Sequence, residues 1–277
     1  MVYCKYPSVI TIAGSDSGGG AGIQADLKTF SALGCYGTSA VTAITIQNTL
    51  GVTGIHQVPA AIVAAQITAV MDDIAPTAIK IGMVHSAALA IAIADTLKSY
   101  PQTPIIFDPV MVATSGDHLI EHNTLGTLQT TLFPMATLLT PNLDEAGLLV
   151  KGEITSLEGM RGAAKQILET GCFAVLVKGG HLKGEKVYDV YLDRNGQETI
   201  YESAFINSDN VHGTGCTLSS AIAAFLSLGE ALPSAVAKAR DYVFNAILMG
   251  KHVTTGKGHG PLNHFFNPQK LQPYEME

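Results

Sequence analysis

The 277-residue sequence predicts an α/β fold built on a mainly parallel sheet with helices on both faces. Three observations predict it. Short apolar runs alternate with stretches whose apolar residues recur at helical spacing. Nearly every run ends in glycine or polar residues, as strands do where they leave a buried sheet. One pair of runs, Val187–Leu192 and Thr199–Phe205, brackets Asp193–Gly196 and gives an antiparallel hairpin at an edge.

In chain order, Val9–Ala13 reads as a short buried strand that stops at a glycine-rich turn. Ile23, Leu27, Phe30 and Leu33 mark a helix that Gly34 ends. Ser39–Ile46 is a strand, Pro59–Met71 a helix, Ala78–Met83 a strand, Ala87–Leu97 a helix and Ile105–Phe107 a strand. Thr137–Leu139 is a strand feeding the helix Glu145–Val150, Gly159–Glu169 a helix and Ala174–Val177 a strand. After the hairpin, Thr217–Leu228 and Leu232–Met249 form two long helices. No repeat or linker interrupts the pattern, so residues 1–277 read as one domain.

Composition narrows the function. Apolar residues make up 47% and charged residues 14%, against a usual charged share of about 25%. This excludes disorder and predicts an apolar surface covered in a homo-oligomer. The net charge of −7 argues against a nucleic-acid or anionic-membrane binder. The longest apolar stretches, such as 58–71, are too short to span a bilayer, and the first strand is too short for a signal-peptide core. Cys4, Cys35, Cys172 and Cys216 form no CxxC pair, so no zinc ribbon or disulfide framework is expected and the cytoplasm is the expected location.

The strand exits carry the chemistry, because ligands of open α/β sheets gather at carboxyl ends of strands. Gly20, Gly22 and Ala25 match a loose dinucleotide fingerprint, but no acid lies between Leu27 and Met71 to hold a ribose, so that reading is excluded. Gly18–Gly22 is left as a tight turn or a place of backbone approach to substrate, and Asp26 as a polar surface residue or a ligand acceptor. P-loop and nucleophile-elbow motifs are absent. His212-Gly213-Thr214-Gly215-Cys216-Thr217 opens a helix with small residues whose N–H groups make an anion hole. There Cys216 reads as a thiol of lowered pKa or a structural cysteine, and His212 as its activator or a packing residue. Asn142 and Glu145 read as a helix cap, or Glu145 as a carboxylate near Mg²⁺ through water; Asp108 is a second such carboxylate or a turn acceptor. Lys178-Gly179-Gly180-His181 is a phosphate-reaching strand exit or a plain turn, and Gly256–Gly260, with Lys257, borders a nucleotide or is merely a loop.

Together these segments resemble the hydroxymethylpyrimidine/phosphomethylpyrimidine kinases of the ribokinase-like superfamily. The resemblance runs from Thr11-Ile12-Ala13-Gly14-Ser15-Asp16 to Gly258-His259-Gly260-Pro261-Leu262-Asn263-His264-Phe265 and includes Gln47-Asn48-Thr49 and Asp108-Pro109-Val110-Met111. It implies a three-layer α/β/α sandwich with a small antiparallel β flap. It also implies transfer of the ATP γ-phosphoryl to a hydroxymethylpyrimidine and then to its monophosphate, with Mg²⁺ and a homodimer; a monovalent cation is left open. By resemblance, Gly14, Asp26, Gln47, Met83 and Val110 line the pyrimidine site, while Asp108 and Glu145 are the magnesium-linked carboxylates. Asn142, Lys178, Thr214 and Lys257 serve the nucleotide, and Gly213, Gly215, Cys216, Lys178 and His212 the catalysis. Most ribokinase-like sugar kinases place Asp where Cys216 stands. A pyridoxal kinase is the alternative within enzymes, and a non-catalytic pyrimidine binder the alternative outside them.

Overall fold

The computed structural model of the chain describes residues 4–111, 121, 123–180, 182, 184–271 and 273–275. After β1 (Cys4–Lys5) the chain runs β2 (Ser8–Asp16), α1 (Gly22–Ala32), β3 (Tyr36–Asn48), β4 (Gly51–Gln57), α2 (Ala60–Asp73), β5 (Ala78–Ile81) and α3 (Ala87–Leu97). It continues with β6 (Ile105–Phe107), α4 (Thr124–Thr131), β7 (Leu138–Leu139), α5 (Leu143–Val150), α6 (Leu157–Leu168) and β8 (Ala174–Lys178). It ends with β9 (Lys186–Asp193), β10 (Glu198–Ala204), α7 (Thr214–Ser227), α8 (Leu232–Gly250) and β11 (Tyr274–Glu275), which pairs with β1.

The main sheet has the order β10-β9-β8-β7-β6-β5-β2-β3-β4. The strands from β8 to β3 run parallel. The hairpin β9–β10 closes one edge antiparallel and β4 the other. Alternate residues of each strand serve opposite layers. Ile79, Ile81, Ile105, Phe107 and Val175 face the layer of α2–α6, while Ala78, Ile106, Leu176 and Tyr191 face α1, α7 and α8. This is the expected three-layer α/β/α sandwich. The helix after β2 lies on one face and the helix after its neighbour β5 on the other. The carboxyl ends of β2 and β5 therefore flank a topological switch point, where a crevice opens.

Several expected elements differ in extent, and β1, β4, α4 and β11 were not expected. The strand read as Ser39–Ile46 runs to Asn48 and folds back as β4, making the small flap. β4 holds Gly51 and Gly54, poor strand formers, and its residues are mostly exposed, so only pairing with β3 makes it a strand. α4, rich in threonine, likewise lacks a helical signature of its own. Among the described residues no helix is long and apolar enough to cross a membrane.

His264 closes the C-terminal segment over α7. Its Nε2 lies 3.0 Å from Thr217 Oγ1, and its carbonyl accepts from Tyr242 Oη at 2.7 Å. Burial and the nearby Lys28 hold its pKa down to about 4. The unfolded chain therefore binds this proton between pH 6.5 and 4 and the fold does not, so stability falls as the pH falls through that window. The group's expected contribution to the loss is about 3 kcal/mol by pH 4. Urea titrations at pH 7 and pH 4.5 check it: His264→Gln should lose visibly less stability between them than the wild type, and equal losses would remove the assignment.

Candidate active site

The exits of β6 and β8 bring opposite charges together. Asp108 follows β6 and Lys178 ends β8; Lys178 Nζ donates to Asp108 Oδ1 at 2.8 Å. Thr140 Oγ1 donates to the same oxygen at 2.9 Å. Burial opposes the charge on Lys178, but Asp108 and Glu145 more than offset it and hold its pKa above the usual range. Glu145 forms a capping box with Asn142: Glu145 N–H donates to Asn142 Oδ1 (2.9 Å) and Asn142 N–H to Glu145 Oε2 (2.8 Å). Both readings of this pair thus meet in one geometry, since the cap fixes the carboxyl beside Lys178. Burial, and then the charge of Asp108, push Glu145 up to about 7 against the pull of Lys178.

Two buried carboxylates thus share one lysine. The negative charge left over suits a divalent cation, and magnesium takes only one or two protein carboxylates beside phosphate and water. No cluster of three or more His, Cys, Asp or Glu that would hold a metal unaided occurs among the described residues. The residues therefore fit a cation that arrives with a phosphate ligand.

Next to this centre two glycine turns interlock. Asp16 ends β2, and its carboxylate accepts from the N–H groups of Gly18 (2.7 Å), Gly20 (3.0 Å) and Ala21 (2.8 Å). Gly213, at φ +84°, caps α7, and a Cβ on it would overlap the Gly20 carbonyl. A Cβ on Gly215 would come within 3.2 Å of Lys178 Nζ and 3.3 Å of Asp108 Oδ2, so its absence lets the helix N-terminus stand against the charged centre. The unpaired N–H groups of α7 add partial positive charge there.

For His212 and Cys216 the sequence left two readings each. His212 Nε2 lies 3.1 Å from Asp16 Oδ2 and 3.3 Å from Gln47 Nε2, so it ties the glycine loop to the flap and is not paired with the Cys216 thiol. Burial opposes the charge of Asp16, yet its hydrogen bonds with His212 and the loop hold the carboxyl below the usual range. Burial pushes the partly buried Cys216 thiol up to about 11, although the ammonium of Lys80 and a Gly22 N–H favour the thiolate. The helix N-terminus alone predicted a lowered pKa; desolvation outweighs it.

Asp26 is placed differently as well. Fully buried, it accepts from Lys80 Nζ (2.8 Å), Thr11 Oγ1 (2.6 Å) and Ser220 Oγ (2.6 Å), behind the wall rather than on it. Burial disfavours a charged Lys80, but Asp26 offsets this and raises its pKa.

The walls enclose a cavity of about 780 Å³. Gly14, Gln47, Met83, Val110, Asp108, Asn142, Glu145, Lys178, His212, Gly213, Thr214, Gly215 and Cys216 all line it. Asp26 and Lys257 do not: the Lys257 N–H donates to Thr49 Oγ1, and the Gly256–Gly258 backbone packs on Thr49 of the flap. His181 lies outside the described residues. The sequence reading missed Lys80 and the far end of the cavity, where Phe205, Ile206, Val211, Val243, Phe244 and Ile247 make an apolar wall. A lysine inside the apolar run Ala78–Met83 was the available signal for the first, and the i, i+3, i+4 spacing on α8 for the second.

The family model for phosphomethylpyrimidine kinase matches residues 16–263. A hydroxymethylpyrimidine/phosphomethylpyrimidine kinase of Rhizobium meliloti is 49% identical over 257 residues, 92% of this chain and 96% of that protein. A thiamine biosynthesis bifunctional protein of Geobacter sulfurreducens is 48% identical over 265 residues, 96% of this chain; the chain spans 54% of that protein's length. The pyridoxal kinase from Staphylococcus aureus in complex with AMP-PCP and pyridoxal superposes with a TM-score of 0.83 at 32% identity, covering 97% of this chain and 98% of that one.

Proposed function

The chain belongs to the phosphomethylpyrimidine kinase family, and on that premise we propose that it transfers the γ-phosphoryl of ATP to a hydroxymethylpyrimidine and then to the resulting monophosphate, for thiamine biosynthesis. The observation that carries this reading is one cavity with three zones: a polar end at Gln47 and Asp16, a charged centre at Lys178, Asp108 and the α7 N-terminus, and an apolar end on α8. The acceptor takes the polar end, where the Gln47 amide offers both a donor and an acceptor to an aminopyrimidine edge. Met83, packed against Gly14, and Val110 flank the ring. The nucleobase takes the apolar end, and the transferring phosphoryl group lies between.

Phosphoryl transfer is mostly positioning and charge neutralisation. Lys178 and the N–H groups at Gly213–Cys216 face the phosphates. Asp108 and Glu145 would hold Mg²⁺, which would supply charge neutralisation at the phosphates. Asn142 fixes Glu145 through its cap. The Lys80 ammonium opposes the effect of burial on Cys216, and the minor thiolate form takes the proton of the acceptor hydroxyl. Asp26 holds Lys80 in place for that task, and Lys257 acts from outside the wall, on the loop that packs on the flap. The whole chain works as one kinase unit, in the cytoplasm, as a homodimer that covers the exposed Ile44, Ile46, Leu50 and Ile55 of the flap. Free thiols at Cys4, Cys35, Cys172 and Cys216 suit a reducing compartment.

A second reading, a pyridoxal kinase, is favoured by the likeness to the Staphylococcus aureus enzyme and by a cysteine in the cavity able to add to an aldehyde. The test is ATP turnover with hydroxymethylpyrimidine, its monophosphate and pyridoxal in parallel, on the wild type and on Cys216→Ala. Turnover on the first two, with pyridoxal poor, is the expected result; pyridoxal turnover without action on the monophosphate would replace it by the second reading. Because a phosphate acceptor is already ionised, Cys216→Ala should cost the first step about tenfold or more and leave the second within about threefold. Equal losses would remove the proton-accepting role.

A further inference from the structure

We propose that Arg240 is a positioning residue for the nucleotide, joining the apolar wall of α8 to the strand exit that carries Lys178; the inference rests on the kinase reading above. Arg240 Nε donates to Asp189 Oδ2 at 2.6 Å, and Asp189 Oδ1 accepts from the Gly179 N–H at 2.8 Å. One carboxylate on β9 therefore links α8 to the residue that follows Lys178.

The link is built for rigidity. The two side chains are only 10% and 9% exposed, and both lie on the cavity wall. The guanidinium stacks over the Tyr201 ring at 5.1 Å, which fixes its plane. Gly179 has no room for a side chain, because a Cβ would overlap the Tyr188 carbonyl, so the strand exit lies directly on β9. On α8, Arg240, Val243, Phe244 and Ile247 fall on one stripe and face the same cavity. The rotation of that stripe sets where a base is seated, and the position of Gly179 sets where Lys178 begins. Fixing both through one carboxylate fixes the distance between base and phosphates.

The acceptor end is built from the exits of β2, β3, β5 and β6 and shares no part of this link. That separation gives the inference a readout that a merely structural ion pair would not move. A buried pair losing one partner is strongly destabilising, so the variants chosen keep shape or charge: Asp189→Asn, which retains an acceptor for Gly179, and Arg240→Lys, which keeps the charge but loses the planar fork.

KM for ATP, KM for the hydroxymethylpyrimidine, calorimetric Kd for ADP and Tm are measured on the wild type, both variants and the double variant. KM for ATP and Kd for ADP should rise about tenfold in each single variant, with the acceptor KM within about twofold and the double variant no worse than the weaker single one. A fall in Tm with unchanged nucleotide constants, or ATP and acceptor constants rising together, would overturn the positioning role. If the wild type binds ADP yet turns over none of the acceptor, the kinase reading fails separately, and the ADP Kd values still decide the role of Arg240. A wild type that does not bind ADP overturns both.

Discussion

Lys178→Met should lower kcat about a thousandfold with either pyrimidine acceptor, the size of effect seen when a preorganised charge at the transferring group is lost. In the structure Lys178 is the cation shared by Asp108, at 2.8 Å, and Glu145. Its removal strips Asp108 and Glu145 of the cation they share and leaves two carboxylates facing each other. Glu145, already held near neutrality by burial and Asp108, then loses the main influence favouring its charge. Methionine keeps the stem and the packing but supplies no charge. Lys178→Arg separates charge from position: it should recover stability yet remain about a hundredfold slow, because Gly215 leaves no slack for a larger head group beside Asp108. A loss below tenfold in Lys178→Met would remove this lysine from the phosphoryl-transfer machinery.

The division between what the sequence disclosed and what it withheld follows the range of each interaction. The hairpin β9–β10 was legible because Asn195-Gly196 is a local turn signal and Gly196 takes φ +84°. The polar strand exits were legible because the parallel sheet collects them at one edge, and thirteen of the expected site residues meet in the cavity. The placing of Asp26 was not legible. Asp26 lies on α1 and its partner Lys80, 54 residues away, on β5, and only packing decides that the two charges meet inside the core. Each was visible as a charge in an apolar pattern, which was the one available sign. For His212 the sequence left two readings open, activator of Cys216 or packing residue, and could not show the partner it has in the structure, Asp16, 196 residues away. For Cys216 the local argument had the correct sign for the helix N-terminus but omitted desolvation, a property of the whole fold.

Arg240 shows the same limit. On an amphipathic helix an arginine ordinarily marks the solvent face, and nothing within α8 announces a carboxylate on β9. The family resemblance supplied what local patterns lacked, but only where the motif residues face the cavity. Where packing turns a residue away, as with Asp26 and Lys257, the geometry assigns it a different physical task.

Gly213→Ala against Gly196→Ala isolates the interlocked turns. Both glycines sit at φ +84°, so alanine at either site meets the same backbone penalty of about 1–2 kcal/mol. At Gly196 a Cβ meets nothing within 4 Å, whereas at Gly213 it would overlap the Gly20 carbonyl and lie 3.3 Å from Ala21 Cα. The overlap is with backbone, so no side chain can swing aside to relieve it. Either α7 withdraws its first turn from the cavity or the Gly18–Gly22 loop lifts off Asp16, and both movements displace the N–H groups that the proposed reaction sets against the phosphates. Gly213→Ala should therefore lose about a hundredfold or more in kcat, in line with displacing a preorganised oxyanion donor, while Gly196→Ala loses stability alone. Matched Tm losses with matched, near-wild-type kcat values would show that the contact between the two turns does nothing for catalysis. A selective kcat loss at Gly213 would show that the helix N-terminus works only when the first glycine loop is seated on it.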